Sequence, residues 1–165
     1  MFELKQISKE SIPEALEKAE RYRLLNEPWL AESICFDILE VDPENSKAIV
    51  ILILAITDQF GTSEMVDVND AKQLLPRLAN EYQKLYYAGI ICERQGKAIL
   101  NLTKSHGGFI AYDWFRDAMD YYEKAEAIRP AGNDDTILRW NTCARLIMRH
   151  HLEPGNEEYI EPPLE

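Results

Sequence analysis

The sequence has little that chemistry or a membrane would use. It has three cysteines, Cys35, Cys92 and Cys143. They lie far apart, each in an apolar helical pattern, and no two form a C-x-x-C pair. That usage points to buried thiols in a reducing compartment and away from disulfides or zinc. The longest apolar run, Ala48 to Ile56, is about half of the ~20 residues that span a bilayer. It reads as a buried helix. Basic residues are scarce, 18 against 29 acidic ones, for a formal net charge of -11. Such a balance opposes binding to nucleic acid or an anionic membrane, both of which call for a basic face. The opening Met1-Phe2-Glu3-Leu4-Lys5-Gln6 lacks a basic segment followed by an apolar one, so no signal peptide is expected and the expected location is cytoplasmic.

Catalytic signatures are also missing. There is no G-x-x-x-x-G-K, no G-x-G-x-x-G and no H-E-x-x-H. His150 and His151 are adjacent, so on a helix they point apart and share no metal. His106 stands before two glycines with no identifiable nucleophile beside it. The reading is a non-enzyme with no catalytic residue, metal or cofactor. No stretch alternates for long at period two, so the chain is expected to be all-α.

What is present is a spacing that occurs twice. Ala31, Cys35, Ile38 and Pro43 are separated by four, three and five residues, and Ala118, Tyr122, Ala125 and Pro130 repeat those steps. A small residue lets two helices approach, apolar residues on the next turns stay buried, and a proline past the end stops the helix. Ala71, Leu75 and Leu78 form a degenerate third copy without the proline, and Pro76 inside it implies a kink or a late start. Ser11-Ile12-Pro13-Glu14 reads as a capping box and Asn45 as the cap of a third, nearly all-apolar helix. Glu81 to about Thr103 and Phe109 to Ile128 read as long helices either side of a break at Ser105-His106-Gly107-Gly108. A last helix starts at Asn133-Asp134-Asp135. Residues 1–152 are expected to form the helical domain. Residues 153–165, with five glutamates and no basic residue, are expected to be a flexible acidic tail.

These residues resemble the tetratricopeptide repeat, a helix-turn-helix unit of ~34 residues with the pattern W-x2-L-G-x2-Y, A-x3-F, P. In the first copy Ala19 fills the small G place, Tyr22 the Y place, Ala31 the A place and Pro43 the P place. Ala15, Lys18 and Cys35 depart from it. In the last copy Ala88-Gly89-x2-Cys92 resembles the L-G-x2-Y segment. Between Gly89 and Ala118 the chain is about 17 residues longer than the pattern allows, which implies an extended hairpin. The resemblance implies an α-solenoid of about three hairpins plus a capping helix. It further implies a scaffold or adaptor that binds a peptide or protein segment in a concave groove lined by the first helix of each pair. The groove residues it implies are Glu20, Arg23, Tyr86, Glu93, Arg94, Asn141 and Arg145, alongside Leu16, Asn45, Leu52, Gln83 and Ile90. The alternative reading is assembly by self-association, as a homodimer, through the extended hairpin at about 97–117. Too many large apolar residues lie there for one buried stripe.

Overall fold

The computed structural model describes residues 1–103 and 108–155. The break around His106 and the tail from 156 onward lie outside the described residues. Within them the chain is all-helical, with seven α-helices and no strand. They are α1 (Ile12–Leu24), α2 (Pro28–Val41), α3 (Ser46–Asp58), α4 (Val68–Lys72), α5 (Glu81–Leu102), α6 (Gly108–Glu126) and α7 (Asp135–Arg149).

Local chemistry sets most ends. Ser11 does not cap α1 with its side chain; its hydroxyl donates instead to the Ser8 carbonyl at 2.8 Å, inside a 3-10 turn. At the far end of α1, Asn26 adopts the left-handed conformation (φ 61°). The amides of Asn26 and Glu27 return to the carbonyls of Arg23 and Tyr22, at 3.0 and 2.8 Å. This crossed pair satisfies carbonyls that the helix end would orphan. His151 (φ 51°) closes α7 the same way, with Leu152 bonding back to Ile147. Asn45 and Asn80 cap α3 and α5 by accepting from Ala48 and Gln83, both at 2.9 Å. The fourth helix is shorter than its apolar stripe suggests. It stops at Lys72, four residues before Pro76, and Leu75–Arg77 form a 3-10 turn. A proline ring clashes with the carbonyl four residues earlier and donates no hydrogen bond to it, so the helix goes no further.

Successive helices pack on each other: α1 on α2, α2 on α3, α5 on α6 and α6 on α7, with α1 also reaching α3. Two cores result. The first is mostly aliphatic and includes Ala31, Cys35, Ile38, Ile49, Leu52 and Ile53. The second holds Phe115, Ala118, Met119, Tyr122 and Cys143. Helix α5 serves both, giving Ile91 and Ala98 to the first core and Ile90 and Cys92 to the second. The extra length between Gly89 and Ala118 lies in α5 and α6, 22 and 19 residues long. They run antiparallel in a fixed register. A Cβ on Gly89 would meet the Tyr122 ring at 2.4 Å, and one on Gly96 would meet the Phe115 ring at 2.9 Å. Both contacts advance by seven residues, so bare backbone on α5 makes room for an aromatic ring every second turn of α6.

Candidate functional site

Helices α1, α3 and α5 share one open face. At one end lies a groove of about 730 Å³, lined by Ile12, Leu16, Glu17 and Glu20 of α1, Asn45, Lys47, Val50 and Ile51 from the start of α3, and Gln83 and Tyr87 of α5. The first halves of these helices place small aliphatic side chains and one aromatic ring beside a few charges. Burial, then the neighbouring Tyr86 and Tyr82, push the Tyr87 hydroxyl up to about 12.

Toward the other end the face becomes ionic. Asp58, the last residue of α3, accepts from Arg23 of α1 through Nε at 2.6 Å and Nη2 at 3.3 Å. It also accepts from Arg94 of α5. At the residue before Arg94, the Glu93 carboxylate is completely buried. Its Oε2 accepts from Lys97 Nζ and Arg139 Nη1, both at 3.0 Å. Its Oε1 lies 3.5 Å from the Tyr122 hydroxyl and 3.6 Å from Cys143 Sγ. Burial first, then the charge of Glu93, raise the pKa of both Tyr122 and Cys143, so both stay protonated and can donate to it. Burial works against the charge on Arg139, but Glu93 and Tyr86 outweigh it and its pKa rises. The pairs form a ladder from α1 through α3 and α5 to α7. A carboxylate removed from water calls for this kind of compensation.

The expected groove residues divide accordingly. Glu20 is exposed and lines the groove. Arg23 and Arg94 are brought together on Asp58 and line a cleft next to it. Glu93, Leu52 and Ile90 are buried and present no face to a ligand. Tyr86 is half-buried in an aromatic cluster, stacked on Tyr82 with centroids 5.9 Å apart and edge-on to Tyr87 at 5.1 Å. Asn141 is half-buried and Arg145 exposed, both on α7, and neither lines the groove or the cleft. Sequence reasoning missed Asp58, Lys97 and Arg139. Asp58 left one trace, as the single acid in a mostly apolar helix.

Among the described residues, no three or more His, Cys, Asp or Glu side chains gather where they could hold a metal ion. None of the described helices is long and apolar enough to cross a membrane. No protein family, curated protein or solved structure matches this chain.

Proposed function

We propose that this chain is a tetratricopeptide-like scaffold that binds a segment of another protein along the face shared by α1, α3 and α5. The observation that carries the reading is the groove of about 730 Å³, built from three separate helices and floored by Leu16, Val50, Ile51 and Tyr87. Concave sites with an apolar floor and a few convergent polar groups are where proteins take up ligands. Helix-to-helix packing in chain order, with α1 reaching α3, supports a stack of hairpins. The completely buried Ala31, Cys35 and Ile38, and their counterparts Ala118, Tyr122 and Ala125, fit the repeat spacing. The role is binding, not catalysis. Three separated, buried thiols suit the reducing cytoplasm.

Capture from native lysate by the parent chain, by Leu16→Lys and by Trp29→Lys tests the reading. Leu16 lines the groove, and Trp29 is exposed on α2. A partner held by the parent and by Trp29→Lys, but lost by Leu16→Lys with an unchanged melting temperature, supports it. A partner retained by Leu16→Lys moves the site elsewhere. A second reading, self-association through the tip of the α5–α6 hairpin, draws on the exposed Leu102, Phe109 and Ile110. Light scattering on a sizing column decides it: a monomer at high concentration removes it.

A further inference from the structure

The chain is strongly acidic, yet four of its 18 basic residues, Arg23, Arg94, Lys97 and Arg139, gather on two carboxylates at one place. The cleft next to the groove, about 260 Å³, is lined by Arg23, Asn26, Asp58, Arg94, Lys97 and Asn101. Those six supply three cations, two amides and a single carboxylate. Including the adjoining buried pair, two carboxylates, Asp58 and Glu93, hold four cations, Arg23, Arg94, Lys97 and Arg139. A local surplus of positive charge remains in a chain whose net charge is -11. The cations are accessible, with side chains 17%, 22% and 35% exposed for Arg23, Arg94 and Lys97. Arg94 gives Asp58 one of its nitrogens and Lys97 makes one bond to Glu93. Their other N–H groups have no acceptor among the described residues.

The groove and the cleft are in step. Leu16 and Arg23 on α1, Ile51 and Asp58 on α3, and Tyr87 and Arg94 on α5 are each seven residues apart. Seven residues are two helical turns, or about 10 Å at 1.5 Å per residue. The same distance is covered by about three residues of an extended chain. Asp58 already demonstrates the group that suits the cations, a carboxylate gripped by a guanidinium fork.

We infer that the cleft is a seat for an acidic side chain of the bound segment, carried about three residues from a bulky apolar residue that lies in the groove. The inference rests on the groove reading and specifies the partner: an acidic, part-apolar peptide. Asp58 competes with that carboxylate and keeps the empty cleft from being a naked cationic pocket.

Selection of random displayed peptides on the full chain tests this, followed by anisotropy titrations of a recovered peptide and its Glu→Gln or Asp→Asn form. Recovered peptides should carry an acid about three positions from a large apolar residue. Neutralising that acid, or making Lys97→Gln or Arg94→Gln in the protein, should weaken binding about tenfold at low salt. The loss should shrink as salt rises. Asp58→Asn, if it melts like the parent, should tighten binding. Peptides that bind and are lost with Leu16→Lys, but show no acidic enrichment and bind Lys97→Gln and Arg94→Gln like the parent, overturn the seat and leave the groove standing. An absence of peptides sensitive to Leu16→Lys overturns both.

Discussion

Helix pairs α1–α2 and α5–α6 carry the same spacing and solve it with different residues. In the first pair the small place is Ala19 and the residue one turn past the signature alanine is Cys35, both completely buried. In the second the small place is Gly89 and the corresponding residue is Tyr122, also completely buried. Where the small place is glycine, the larger residue fits: bare backbone at Gly89 leaves room for the Tyr122 ring. The spacing therefore constrains the volume available between two helices, not the residues that fill it. The second pair also accepts something the first does not, a buried carboxylate. Glu93 sits among Lys97, Tyr122, Arg139 and Cys143, whereas the first core is built from apolar, mostly aliphatic side chains and holds no buried carboxylate.

The largest effect should come from that asymmetry. Replacing Lys97 and Arg139 together by Met leaves Glu93 buried without a cation, and denaturant melts should show a loss of about 3–5 kcal/mol. Arg23→Met, which removes one of the two arginines from the partly exposed Asp58, should cost about 1 kcal/mol or less. Equal losses would erase the distinction between the two ionic sites.

Next comes the packing rule. Gly89→Ala should cost about 1–3 kcal/mol by crowding Tyr122, although alanine is favoured over glycine in a helix by about 1 kcal/mol. In a Tyr122→Cys background the crowding disappears, and the same change should become stabilising. A Gly89→Ala variant as stable as the parent would show that the ring is not the constraint.

Alkaline pH should weaken both cores. Burial raises Cys35 from 9.0 to about 12 and Cys92 from 9.0 to about 11. A folded pKa above the unfolded one means that the stabilisation is fully present below pH 9 and is lost as pH rises toward the folded values. At pH 10 each thiol should account for a loss of about 1.4 kcal/mol, seen as a falling melting temperature above pH 9. The same burial should leave the thiols unreactive toward a thiol reagent at pH 8 until denaturant is added. Smallest are the caps. Asn45→Ala and Asn80→Ala should each cost about 1 kcal/mol. Ser11→Ala, at a residue whose hydroxyl does not cap the helix, should cost less than about 0.5 kcal/mol.

Much of the fold was legible because its signals are local. Asn45 caps α3 as its position suggests, and the excess length between Gly89 and Ala118 is indeed taken up by α5 and α6. In the stripe of Ala71, Leu75 and Leu78, Pro76 implies a kink or a late start; the helix instead stops early, at Lys72, whose carbonyl Pro76 would obstruct. The candidate site was legible in part. Arg23 and Arg94 were readable as charges on groove helices. Glu93 was not readable as buried, since its neighbour Arg94 is partly open and one helical step separates inside from outside. The pairs that define the ladder join residues 35, 36 and 46 positions apart. Only tertiary packing brings them together, and no periodicity in the sequence encodes it.

The claim that α1, α3 and α5 together receive a ligand can be tested by placing a photocrosslinking residue at Val50, in the groove, or at Trp29, exposed on α2. Each protein is irradiated with the captured partner. The account predicts a covalent adduct from position 50 and none from position 29, with the adduct from 50 suppressed by excess unlabelled peptide. An adduct from position 29 alone would contradict it.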